Sequence, residues 1–193
     1  MLRRLYDWTM SLAAGRHAPT ALAAVSFAES SFFPIPPDVM LVPMVLARRE
    51  SAWFYAALAT VSSVIGGVFG YMIGYFLFEA VGTPILNFYN GADEFAGFTQ
   101  LFADYGVWIL IVKGMTPIPY KILTIAAGVA HMAILPFILA SIVARAMRFF
   151  FVAALLYFFG DPIRKFIEER LTLVTTAFVV LLVGGFIAVK FVL

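Results

Sequence analysis

The chain has no cysteine, which excludes disulfides, thiolate metal sites and cysteine nucleophiles. Its two histidines, His17 and His131, are too few for a histidine-rich metal centre. Charge is also scarce: 12% of the residues are Asp, Glu, Lys or Arg, against 63% hydrophobic, far outside the composition of a water-soluble domain. Lipid is therefore the solvent in which this chain has to fold. Asp7, Arg16 and His17 interrupt the residues after Arg3 and Arg4, so no removable leader with a small-residue cleavage site is expected. The basic residues form no aromatic-interleaved patch, and the net charge of +2 does not point to nucleic acid. No nucleophile elbow, Ser–His spacing or metal motif is present, so neither a cofactor nor an enzymatic activity is expected.

What is present is a series of apolar stretches with distinct punctuation. Leu2, Leu5, Trp8 and Leu12 recur at helical spacing with Arg3, Arg4, Asp7 and Ser11 between them, the pattern of a short helix lying in the membrane interface. Residues 18–47 are apolar but broken by Pro34, Pro36 and Pro37. The arms, 19–33 and 38–47, each fall short of the roughly 20 helical residues that cross the hydrocarbon. The spacing predicts a re-entrant helical hairpin with extended backbone at its tip. Residues 52–79 are long enough for a tilted full span. In the polar connector that follows, Phe95, Phe98, Phe102 and Tyr105 oppose Asp93, Glu94 and Asp104 and predict a second interfacial helix. Residues 106–130 repeat the hairpin pattern around Pro117 and Pro119, and 132–159 repeat the long span. Asp161 and Pro162 then open a short amphipathic helix, and 171–189 form a final span.

Aligning Pro34 with Pro117 sets PIPPDVMLVPMVLA over PIPYKILTIAAGVA. One crossing separates the two hairpins, so the second enters from the opposite side, as in the inverted repeats of many secondary transporters. The expected fold is all-α: a polytopic membrane protein with an inverted repeat of two re-entrant hairpins, each followed by a long transmembrane helix, plus interfacial helices and a C-terminal transmembrane helix. It forms a single membrane domain, with an interfacial helix in 1–17, repeat one in 18–80, a connector in 81–105, repeat two in 106–160, and an amphipathic turn and last span in 161–193. Arg3, Arg4, Arg16, Arg48, Arg49, Arg164, Lys165 and Arg170 fall on one predicted side, and the connector has no Lys or Arg. The positive-inside rule then sets the N-terminus in the cytoplasm and the C-terminus outside a plasma or inner membrane.

Six ionisable residues remain within the apolar segments: Glu29 and Asp38 in the first hairpin, Lys113 and Lys121 in the second, and Arg145 and Arg148 in the second long span. Each costs about 3 kcal/mol at a helix centre on insertion scales, so they are expected to face one another, water or a ligand. The proline alignment sets Lys121 opposite Asp38, which predicts pairing between the hairpins. Basic residues outnumber acidic ones here, an excess that a phosphate would balance. Helices starting deep in the membrane after each proline break present unbonded N–H groups and positive dipole ends, which also favour an anion. Plainer readings stand beside this one: Asp38 as a helix cap, Lys113 and Lys121 snorkelling, and Arg145 and Arg148, one turn apart, in structural pairing alone. Glu29 is a candidate proton carrier, on which desolvation and a basic partner act in opposite senses. Gly66, Gly70 and Gly74 form a small-residue face assigned to helix packing, and His131 reads as an interface residue.

The string Glu29-Ser-Ser-Phe-Phe-Pro34-Ile-Pro36-Pro37-Asp38, the glycines at 66, 67, 70 and 74, the segment from Tyr105 and Gly106 through Lys113, Pro117, Pro119 and Lys121 to Gly128, and the pair Arg145 and Arg148 together resemble the DedA family. That family is also called SNARE-associated Golgi or VTT-domain proteins, and the resemblance is nearest to its YqaA-like branch, over roughly residues 20–160. The resemblance implies two opposed re-entrant hairpins and proton-dependent transport, or flipping or scrambling, of lipids, including a polyprenyl phosphate carrier. It also implies that Glu29 and Asp38 are the family's membrane acids and Arg148 its basic residue in the following span. The second hairpin departs from the family's Arg-x-x-Pro-x-x-Arg pattern, with Lys113 and Lys121 as its basic residues. The leading expectation is a transporter or flippase for an anionic lipid, with Glu29 and Asp38 handling protons or counter-charge and Lys113, Lys121, Arg145 and Arg148 binding the phosphate. A proton-coupled cation or small-ion exchanger and a structural or assembly factor that associates through its glycine faces are the alternatives. Oligomeric state is left open.

Overall fold

The structure, a computed structural model, describes residues 15–32, 36–78, 92–114 and 120–169. The expected N-terminal interfacial helix, residues 81–91 of the 81–105 connector, Pro34, Pro117, Pro119 and the final span lie outside the described residues. Within them the chain is all helical. Helices α1 (Ala18–Ser31) and α2 (Asp38–Ala47) precede a 3₁₀ turn (Arg49–Ser51) and the long α3 (Ala52–Leu77). Helices α4 (Ala92–Gly114), α5 (Tyr120–Val129) and the long α6 (Ile134–Glu169) follow.

Two stretches, Arg49–Leu77 and Ile134–Ile163, are long and apolar enough to cross a membrane, at 29 and 30 residues. Their outward faces carry large apolar side chains, among them Phe69, Phe76, Leu135, Phe151 and Phe158, all exposed. Continuous apolar exposure on this scale is a surface for lipid, not for water. Two expectations about boundaries change. Residues 92–105 of the polar connector and 106–114, expected as the start of a second hairpin, form one unbroken helix, α4, because Gly106 is buried with Met132 close against it and does not end the helix. The amphipathic segment at Asp161 and Pro162 is likewise continuous with α6, apart from a kink at Phe159 (φ −117°, ψ 18°).

Helix α3 is the common support, with α1 along one side, α5 along another and α6 across it; α2 and α4 pack on α6. Glycines permit the closest approaches. A Cβ at Gly66 would run into the backbone carbonyl of Phe27 on α1, one at Gly74 into that of Ile125 on α5, and one at Gly128 into that of Tyr71 on α3. Gly70 meets both Ser30 and Thr124. Backbones this near one another are the small-residue packing that lipid-embedded helices rely on. The α5–α6 turn closes with His131 at φ 53°, where the His131 N–H donates to Gly128 O and the Met132 N–H to Ala127 O, both at 3.0 Å, a Schellman cap.

The interior divides into two apolar clusters. One joins Leu22, Leu41, Val45, Ala56, Phe149 and Ala153; the other joins Tyr71, Leu110, Leu123, Ala127 and Phe137. Between them, at the level of Ser63 on α3 and Arg145 on α6, the core is polar. Near the end of the first cluster, Arg49 bonds Asp161 at 2.9 Å, tying the start of α3 to α6 just past its kink.

Candidate functional site

Arg145 is the centre of the polar layer and has no exposed surface. Its Nη2 donates to Glu29 Oε2 at 2.8 Å and its Nε to Ser63 Oγ at 2.6 Å. The guanidinium lies between two aromatic faces, with its carbon 4.7 Å from the ring centroids of both Tyr120 and Phe149, so cation–π attraction adds to the ion pair. Glu29 is also shared. Ser30 Oγ donates to its Oε2 at 3.2 Å, and the Tyr120 backbone N–H donates to its Oε1 at 3.4 Å. Ser30 and Ser63 bond one another through their hydroxyls, and the Tyr120 hydroxyl donates to Ser141 Oγ at 2.8 Å. One node therefore fastens α1, α3, α5 and α6. Charges without solvent are tolerable only when paired and hydrogen-bonded on several sides, and this pair is.

The second pair lies one helical turn along α6. Arg148 Nη2 donates to Asp38 Oδ2 at 2.6 Å, and about a fifth of each side chain is exposed (21% and 22%). Asp38 is the first residue of α2, whose N-terminus has no side-chain cap hydrogen bond; its carboxylate is turned to Arg148 instead. Tyr120 is the first residue of α5, so Glu29 sits at that helix's N-terminal pole. Both poles expected to await an outside anion thus already face an internal carboxylate, which complements the helix dipole.

The expected pairing of Asp38 with Lys121 is not what forms. Lys121 Nζ donates to the Phe32 carbonyl at 3.4 Å, reaching the end of α1, while Asp38 takes Arg148. Residues aligned by a repeat occupy equivalent places in their own units, and equivalence does not imply contact. Lys113 lies in the last turn of α4 with its side chain exposed. Pro37 is buried next to Asp38 and Pro36 half-buried. Of the charged residues singled out from sequence, the structure brings Glu29, Asp38, Arg145 and Arg148 together. Each arginine has its own carboxylate.

The VTT domain profile matches residues 35–158, which includes three of those four residues, all of α3 and α6 as far as residue 158. The chain belongs to the VTT-domain (DedA) family. An uncharacterized protein of Haemophilus influenzae is 38% identical over 186 residues, covering 96% of each chain. Another uncharacterized protein, from Histophilus somni, is 38% identical over 187 residues, covering 96% of this chain and 97% of that one. No solved structure matches.

Sequence reasoning missed the neutral half of this VTT-domain site. Ser30, Ser63, Tyr120 and Ser141 carry no charge and sit in unremarkable helical contexts, so only the fold reveals that they complete the pairs. One signal was available: Ser30 directly follows Glu29, and Tyr120 follows the second proline pair at the place where Pro37 follows the first.

Proposed function

We propose that this protein carries an anionic, phosphate-bearing lipid across the membrane, as a transporter or flippase, and that the Asp38–Arg148 pair is the ligand-facing part of its charged layer. The observation that carries this reading is the difference in exposure between the pairs: Arg145 has none, whereas Arg148 and Asp38 each expose about a fifth (21% and 22%). The sealed pair holds four helices together; the open pair is within reach of a headgroup. A phosphate meeting Arg148 competes with Asp38, and a proton taken up by Asp38 removes the competitor, which is how a proton gradient couples to lipid movement in this scheme. Lys121, half-buried beside the end of α1, adds a second cation for the phosphate.

The helix arrangement supports the same reading. Arms of 14 and 10 residues (α1 and α2) are too short to cross roughly 30 Å of hydrocarbon, and the second arm of each unit packs on the long helix of the other, α2 on α6 and α5 on α3. This exchange is what an inverted repeat of two re-entrant hairpins produces. With Arg49 bonded to Asp161 at one end, and Arg48 and Lys165 exposed near it, that end is the cytoplasmic one under the positive-inside rule, in an inner or plasma membrane. An assembly factor built on exposed glycine faces is less well supported, because Gly66, Gly70, Gly74 and Gly128 are all engaged within the chain.

The test is reconstitution into liposomes carrying a fluorescent phosphorylated polyprenol. Transbilayer movement faster than in protein-free liposomes, and slowed by Arg148→Ala, is the expected result; equal rates with and without protein would refute the reading.

A further inference from the structure

Among the described residues, three buried side-chain atoms have no hydrogen-bond partner within the protein: Ser26 Oγ on α1, Asp38 Oδ1 at the start of α2 and Arg145 Nη1 on α6. A buried polar group left unbonded is unfavourable and uncommon. Three of them on three helices have a common explanation if they face one space, and the helical register sets Ser26 and Asp38 one turn along from Arg145.

On α1, Leu22, Ser26 and Glu29 follow one another at helical spacing, and Ser26 is fully buried. Leu22 packs in the apolar cluster that contains Phe149 and Ala153 of α6, whereas Glu29 binds Arg145. Stepping back along α1 from Glu29 to Ser26 therefore follows the same direction as stepping forward along α6 from Arg145 to Arg148. That step ends at the level of Asp38, which Arg148 holds. Asp38 itself shares a stripe of α2 with Leu41 and Val45, members of the same cluster. Nε and Nη2 of Arg145 are taken by Ser63 and Glu29, which leaves Nη1 for this space.

The chemistry of the three atoms selects the occupant. Nη1 only donates, a carboxylate oxygen only accepts, and a serine hydroxyl does either. The two arginines and two carboxylates cancel, so a further ion would be opposed from one side or the other. A neutral group that accepts from Nη1 and donates to Oδ1 is required, and it has to make about three hydrogen bonds in a small polar space, as buried waters do.

We propose that an ordered water is bound between Ser26 Oγ, Asp38 Oδ1 and Arg145 Nη1, joining the two ion pairs into one network. Ser26 becomes a positioning residue for that network. The water links the sealed pair to the partly exposed one. Hydration belongs to the folded chain whatever it carries, so this site goes beyond the transport reading and survives its failure.

The test uses the full chain in lipid nanodiscs, comparing wild type with Ser26→Ala by thermal unfolding and by a structure at a resolution that shows ordered water. If the hydroxyl holds the water, Ser26→Ala lowers the midpoint by about 2–4 °C, as expected for losing one hydrogen bond in a chain of this size. If the hydroxyl is buried dry, its removal leaves the midpoint unchanged or raises it, and the proposal is overturned. In the structure, a water within hydrogen-bond reach of all three atoms supports the proposal; three atoms too far apart to share one water overturn it.

Discussion

Neutralising Glu29 while leaving Arg145 in place isolates a cation that has no exposed surface. In the wild type the guanidinium has no exposed surface and meets Glu29 at 2.8 Å. Glu29→Gln keeps the side-chain length and one acceptor oxygen but removes the counter-charge. Breaking a buried pair from one side costs about 3–5 kcal/mol, and nothing else within this node supplies a negative charge. Arg145→Met strands the carboxylate instead and also removes the bond to Ser63, while Ser30 and the Tyr120 N–H continue to solvate Glu29. Its loss should therefore fall near the lower end of that range, about 3 kcal/mol. The double variant Glu29→Gln with Arg145→Met carries no buried charge, and replacing a whole buried pair is often close to neutral. It is expected to be more stable than either single variant, with a coupling energy of about 3 kcal/mol or more. Reversible unfolding of the four proteins in lipid bicelles measures this directly. Losses that simply add, with coupling below about 0.5 kcal/mol, would refute the claim that Glu29 and Arg145 support each other.

The remaining predictions concern other parts of the fold. Asp38→Asn should be milder than Glu29→Gln, about 1–2 kcal/mol in the same unfolding assay, because both members of its pair are partly solvated; a larger loss than at Glu29 would reverse the assignment of sealed and open pairs. Gly66→Ala, Gly74→Ala and Gly128→Ala each drive a methyl into a neighbouring backbone carbonyl and should lower stability by about 1–3 kcal/mol, whereas Gly97→Ala, with nothing near the new methyl, should be neutral or stabilising by up to about 1 kcal/mol. Equal effects at all four positions would contradict the packing described. At His131, which holds φ 53°, both Gly and Ala lose the contact with the Tyr75 ring at 4.5 Å. Gly should nonetheless be the more stable replacement by about 1 kcal/mol, and equal midpoints would argue against a left-handed cap there.

Much of this architecture can be read from the chain because proline and length act locally. Helices are observed at Ala18–Ser31 and Asp38–Ala47, where short arms are expected at 19–33 and 38–47, and at Ala52–Leu77, where a span is expected at 52–79. Gly106 misled for a related reason: glycine weakens a helix without ending it when tertiary contacts hold it, and here Met132 packs beside it. Pro162 likewise reads as a helix start, yet the observed break is only the kink at Phe159, after which Pro162 fits without loss of an available N–H bond. The charged residues of the site were visible because ions are conspicuous in apolar sequence. Their partners were not: Arg148 finds Asp38 110 positions away, a contact fixed by how α2 lies on α6, and no local spacing encodes that crossing.

The account depends most on Arg148 being available to an anionic headgroup while Arg145 is not. Binding of a fluorescent polyprenyl phosphate to purified wild-type protein and to Arg148→Ala, in the same lipid nanodiscs, tests this most directly. The account predicts saturable binding by the wild type and a loss of at least about tenfold in the variant, on the order of 1.4 kcal/mol for one charge-assisted contact. Equal binding by both proteins, or none by the wild type, would contradict it.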